Sequence, residues 1–212
     1  SPSVDVLYTD VWTDPAVATP AAPVSYLYSN LATLAPTSIN CIQTWTARCR
    51  SIINYETHIH PLWSTPRGAN TCAQSGCHAP VSALNAAMVP AGQLDLSDGV
   101  SPDEADHFNS YQELLFADDR QILVGGAIVD EQVQIGVDAM GNPILSTVSI
   151  DPPMTAAGAR QSRFFSCFDV GGTGGRARSH VGYMSADELR LLAEWLDIGA
   201  QYYNNPFDVP VM

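Results

Sequence analysis

The sequence predicts a mainly α domain with one β-hairpin insertion and long loops. Two helix signals and one strand signal lead to that reading. Ser185-Ala186-Asp187-Glu188 is a capping box, in which the Ser hydroxyl and the Glu carboxylate satisfy exposed amides at a helix start. The residues after it place Leu189, Leu192, Ala193, Leu196 and Ala200 on one apolar face. Ile52, Tyr55, Ile59, Leu62 and Trp63 recur at three- and four-residue intervals, which suits a short amphipathic helix, with Pro61 near an early turn or kinking it. Between these helices the period changes. Val133, Ile135 and Val137 alternate with polar or small residues, Met140-Gly141-Asn142-Pro143 is a turn signal, and residues 144–150 alternate again. That is a β-hairpin, ended by Pro152-Pro153.

At 212 residues the chain is one large domain, or a domain with an appendage, and is long enough to bury a core. Residues 1–40 are rich in Pro, Ala and Thr, with five prolines spaced too closely for long helices. They read as a wrapping segment, with a flexible linker as the competing view, and residues 41–212 as the main domain. Within the first segment, residues 4–7 suit a short strand and residues 25–34 a helix with Tyr26, Leu27 and Leu31 on one side. Residues 79–110 read as loop, and residues 110–116 as one or two helical turns. The run Gly171-Gly172-Thr173-Gly174-Gly175 is loop by composition, since no strand leads through it into a helix with the glycine spacing of a phosphate cradle.

The charge balance excludes several classes of function. There are 22 acidic and 9 basic side chains, all nine of the latter arginine, for a net charge of −13. A surface of this sign does not bind nucleic acid, whose affinity comes from clustered Lys and Arg. No apolar run approaches the roughly 20 residues of a membrane span. The chain opens at Ser1 without Met, so a leader or a longer upstream polypeptide is expected to have been removed.

The sharpest signal is Cys72-Ala73-Gln74-Ser75-Gly76-Cys77-His78. The common c-type haem attachment motif is C-x-x-C-H, and here four residues separate the cysteines. Two thiols add to the porphyrin vinyl groups while the adjacent imidazole reaches the iron from one face. The longer spacing requires a bulge, which Ser75-Gly76 supplies. Two other readings of the pair stay open: a small disulfide loop with His78 incidental, or part of a zinc site, which usually brings a second complete ligand pair.

The lead-in His58-Ile59-His60-Pro61-Leu62-Trp63 resembles that of many bacterial c-type cytochromes. The run from His180 through the capped helix to Asn204 resembles the closing segment of the same kind of domain. Together they are similar to the C-terminal haem domain of hydrazine synthase alpha-subunit-related proteins, over roughly residues 41–210. The resemblance implies a c-type cytochrome-like helical haem domain, one haem c with two histidine ligands, and electron transfer. It does not imply hydrazine synthesis, because the catalytic centre of those proteins lies in other domains.

His180 directly precedes the capped helix, so its ring can be held over a haem packed there; it is the expected partner of His78 as metal ligand. His107 is the main competitor, followed by Met184 and Met88, with a vacant position as a further option. Two imidazoles block substrate access, whereas a Met ligand raises the potential and an open position admits small ligands. Cys41 and Cys49 suit a disulfide in an exported protein, though a pairing of either with Cys167 stays open. Otherwise Cys167 is a buried, inert thiol. The acidic stretch Asp95–Asp106 reads as a solvated loop before it reads as a calcium site. Arg176 and Arg178 are candidates for pairing with haem propionates. Trp63, Phe164, Phe165, Tyr183 and Trp195 are core or pocket lining.

The expectation is therefore a periplasmic or extracellular mono-haem protein that passes single electrons. Haem c would be covalent through Cys72 and Cys77, with His78 and His180 on the iron. Its partners would be redox proteins or neighbouring haem domains with a basic docking surface. Two alternatives are an open-site haem module acting on peroxide or a small nitrogen compound, and a haem-stapled structural subunit of a larger redox assembly.

Overall fold

In the computed structural model, residues 5–10, 13–38, 40, 41, 44, 46, 49–169 and 179–204 are described. Two strands open the fold, β1 (Asp5–Tyr8) and β2 (Val24–Leu27), paired antiparallel with Val6 opposite Tyr26. The α-helices with described bounds follow later: α1 (Pro61–Ser64), α2 (Asn109–Leu115) and α3 (Ala186–Asp197). Between α2 and α3 lie β3 (Asp118–Asp119), β4 (Gln121–Val124), β5 (Ala127–Asp130), β6 (Gln132–Val137), β7 (Pro143–Thr147) and β8 (Ser149–Ile150). Every sheet among the described residues has two strands.

The mainly α, cytochrome-like helical fold expected from the sequence is corrected by this architecture. Helical turns of all kinds cover 26% of the described chain and strands 17%, so most of it is turn and loop. The reason is interruption. Fifteen prolines and fifteen glycines divide the chain into short pieces, and only α3 exceeds two turns. The expected helix over residues 25–34 is instead strand β2 followed by a 3-10 turn, Tyr28–Asn30. Tyr26 there is wholly buried and meets Tyr28 edge to face at 5.0 Å. The apolar repeat over residues 52–63 splits at Pro61. A π turn, Tyr55–Ile59, precedes α1, whose first residue is Pro61, where a missing amide is harmless. Tyr55, Ile59, Leu62 and Trp63 are all buried as their spacing predicts. The capping box is formed: Ser185 Oγ accepts from the Glu188 amide, and Glu188 Oε2 accepts from the Ser185 amide. The buried face of α3 is Leu191, Leu192, Trp195 and Leu196, with Leu189 only partly covered.

Tyr55 sits at the centre of the core. Its ring lies 5.1 Å from Tyr111, 5.4 Å from Trp195 and 5.5 Å from Tyr202, and its amide donates to the Tyr202 carbonyl at 2.8 Å. A second tie joins the start of α3 to the segment after α1. Arg67 Nη2 donates to Glu188 Oε1 at 2.5 Å and Nη1 to the Leu62 carbonyl at 2.7 Å, with both charged side chains largely out of water. Cys41 and Cys49 are bonded to each other, whereas Cys72 and Cys77 are free thiols. The glycine run 171–175, with Arg176 and Arg178, lies outside the described residues.

Glu188→Ala removes the ion pair and the reciprocal half of the cap together, leaving Arg67 half-buried without its counter-charge. Urea unfolding should show a loss of about 3 kcal/mol, against about 1 kcal/mol for Ser185→Ala. Reduction of the Cys41–Cys49 bond should lower stability by about 2–3 kcal/mol in the same assay.

Candidate functional site

The motif loop is built from backbone ties at both ends. The Ala73 amide donates to the Trp63 carbonyl at 2.9 Å, so the loop leaves directly from α1. Gly76 takes φ +85°, a left-handed conformation in which its amide reaches the Val81 carbonyl at 2.9 Å. This turn absorbs the two extra residues between the cysteines. The His78 amide then closes back on the Cys72 carbonyl at 3.1 Å, and the Leu96 amide donates to the His78 carbonyl at 2.9 Å. The His78 ring is oriented by Nδ1, which donates to the Leu94 carbonyl at 3.2 Å. The neutral ring therefore carries its electron pair on Nε2, the arrangement that metal-ligating histidines adopt.

His180 arrives from a distant part of the chain. Its amide donates to the Cys167 carbonyl at 2.9 Å and its carbonyl accepts from Tyr183, so its backbone is pinned between the Phe168 segment and α3. Its ring lies 5.8 Å from Phe168 and 5.0 Å from Tyr183. The rings of His78 and His180 lie with centroids 5.9 Å apart and planes tilted by 34°. Two metal–imidazole bonds of about 2.0–2.1 Å, plus about 1.1 Å from each nitrogen to its ring centre, give about 6.2–6.4 Å between ring centres, slightly more than the separation here.

Trp63, Cys72, Leu94, Leu96, Phe164, Cys167 and Phe168 complete the cleft between the two histidines. It is apolar, and its enclosed part is about 30 Å³, so anything larger than a water molecule must part these walls. Cys72 lies inside, where burial pushes its thiol up to about 11, while Cys77 is half-buried with its sulfur near Gln74 Nε2. Among the described residues no three His, Cys, Asp or Glu side chains converge to cage a metal ion. A porphyrin brings four nitrogen donors of its own and needs two from the protein. Two imidazoles and the Cys72 thiol among apolar walls are donor types that a haem c site uses, Cys77 does not line the cleft, and the cleft as it stands has no room for a porphyrin.

The other histidines are committed elsewhere. His58 Nδ1 accepts from the Asn54 amide at 3.0 Å, and burial holds its pKa below the usual imidazole range. His60 lies in a chain of hydrogen bonds that the sequence reading did not foresee. Trp63 Nε1 donates to the Tyr55 hydroxyl (3.0 Å), which donates to Ser110 Oγ (2.8 Å); the Ser110 hydroxyl meets His60 Nδ1 (3.0 Å), and His60 Nε2 meets Asp98 Oδ1 (3.0 Å). Ser110 is wholly buried while Asp98 at the other end is exposed, so the network runs from the core to the surface. His107 stacks on Tyr202 at 4.1 Å, away from the cleft. Met184 is core, and Met88 does not line the cleft. Trp63 and Phe164 line it, whereas Trp195 belongs to the core around Tyr55. Leu94, Leu96, Cys167 and Phe168 were missed as lining. Leu94 and Leu96 alternate inward beside an acidic run, a two-residue signal too short to stand out.

Two open clefts of about 440 and 470 Å³ lie at the foot of the β-structure, the first bordered by Asp95 and Asp103 of the acidic stretch. Glu113 of α2 lines both, its Oε2 accepting from the Asp95 amide (2.9 Å) and its Oε1 from Asn109 Nδ2 (3.1 Å).

Comparison with protein-family models, with curated proteins and with solved structures gives no match.

Burial raises the Glu113 carboxyl to about 7. A raised folded pKa stabilises below the unfolded value, near 4.3, and that contribution is lost as pH rises through 7. Glu113→Gln should therefore gain stability relative to the parent as pH goes from 4.5 to 8. Paired urea titrations across that range would show a difference that grows with pH; a flat difference contradicts the assignment.

Proposed function

We propose that this chain is an exported electron-transfer protein carrying one haem c, attached through Cys72 and Cys77, with His78 and His180 as the two axial ligands. The observation that carries the proposal is the pair of imidazoles at near-ligating separation across an apolar cleft, with Cys72 in its wall. The ligand set agrees with the resemblance to hydrazine synthase alpha-subunit-related haem domains, while the helical scaffold implied by that resemblance does not carry over. When bound, the haem supplies a one-electron iron couple.

The chain's own residues would hold and tune that group. The Leu94 carbonyl fixes the His78 tautomer, and the Cys167 carbonyl and Tyr183 amide fix the backbone of His180. Trp63, Phe164 and Phe168 exclude water from the cleft faces. Held by both His78 and His180, the group would supply electron transfer and would offer no open position to a substrate. Export follows from c-type attachment and agrees with the Cys41–Cys49 disulfide. No helix among the described residues is long and apolar enough to cross a membrane. A lysine-free chain at −13 lacks the basic ring that draws acidic partners, so a redox partner would present the basic surface itself.

The test is intact mass with a pyridine haemochrome spectrum, after export through a host that matures c-type cytochromes. One added haem, and a reduced low-spin spectrum unchanged by carbon monoxide, are expected. Cys72→Ser with Cys77→Ser should abolish covalent haem, and His180→Ala should make the reduced protein bind carbon monoxide. A mass without haem overturns the proposal. Rapid carbon monoxide binding by the parent protein would replace electron transfer with an open-site enzyme.

A further inference from the structure

Residues 118–150 form an arm that leaves the core through the two-residue ladder β3–β8 and carries two hairpins, β4–β5 and β6–β7. Three backbone hydrogen bonds knit the branch point: Arg120 to Val148, Glu131 to Arg120, and Val148 to Glu131. The Arg120–Glu131 ion pair spans the same point. Gln93 grips the foot of the arm, exchanging two hydrogen bonds with the Gln121 backbone. Beyond that foot the β6–β7 hairpin is solvent-facing on both sides, and no side chain of either strand is buried.

An isolated two-stranded ribbon is marginally stable in water and needs further strands or a covered face. These ribbons are also apolar. Ile135 is 66% exposed, Val137 60%, Val124 55% and Leu123 51%. Natural edges that stay unpaired are usually guarded by charge. Here residues 121–129 carry none, and residues 132–147 carry only Asp138, at the turn. The exposed aliphatic side chains of the arm lie on both faces of its two hairpins, and an ordinary interface takes about 800 Å² from each partner.

We infer that the arm is the contact between two copies of this chain, the sparsely charged hairpins packing against each other about a twofold axis. Charge selects this occupant. Two copies at −13 repel through almost any other face, and the hairpins are a region where like meets like without like charges opposed. A basic partner, by contrast, finds no counter-charge on them. Each arm then supplies the strands that the other lacks.

Native mass spectrometry and light scattering on the full chain, at micromolar concentration, test this. The parent should be a dimer. Ile135→Asp, and separately Leu123→Asp, should weaken it at least tenfold by facing carboxylates across the axis. Leu84→Asp, at a 91% exposed position outside the arm, should leave it a dimer. A monomeric parent overturns the inference, as does a dimer that survives both arm substitutions. A monomer that sediments with neutral phosphatidylcholine vesicles through the same residues overturns it in favour of a lipid surface. An unchanged circular dichroism spectrum for each variant separates lost contact from lost fold.

Discussion

One buried carboxylate brings the two halves of the cleft together. Glu188 caps the start of α3 and binds Arg67, and Arg67 in turn holds the Leu62 carbonyl at the end of the segment that launches the Cys72 loop. Through these bonds, the helix that follows His180 is fixed to the chain that precedes His78. The ion pair is mostly out of water, so it is stiff as well as strong: breaking it leaves a charge in an apolar setting.

Around that tie the core is organised by aromatic rings more than by aliphatic layers. Tyr55 gathers Tyr111, Trp195 and Tyr202, and every hydroxyl in the chain from Trp63 to Asp98 has a partner. Rings with satisfied polar ends suit a fold with little regular secondary structure, because side-chain hydrogen bonds position loops that no ladder holds. The same ring system shares Trp63 with the cleft, so the cleft wall and the core form one packed unit.

Single residues were more legible than architecture. Cys72, His78 and His180, singled out from the motif and from the start of the capped helix, line one cleft, while their role as haem-binding residues rests on the proposal above. The capping box and the β6–β7 hairpin were legible because each is a local code of a few residues. The overall class was not. Periodicity over residues 52–63 marked buried positions correctly, yet it could not say that Pro61 would divide them into two short turns. Around Tyr26 the same residues satisfy a helix face or a strand, and pairing with β1 decided the matter. Hydrogen bonds between distant side chains, such as Tyr55 to Ser110, leave no trace in sequence spacing.

The arm stands in the stretch of chain that joins His78 to His180. Its stem pairs Asp118 with Ile150, so everything between them is closed off before it can lengthen the path between the two histidines. Loop-closure entropy grows with the logarithm of the loop actually left open. The hairpins are therefore nearly free of charge to the ordering of the cleft. Residues can be gained or lost beyond the stem, and the distance that His180 must search to find His78 stays the same. In folding, the ribbons can form from neighbouring residues early, shortening the longest closure that the protein has to make.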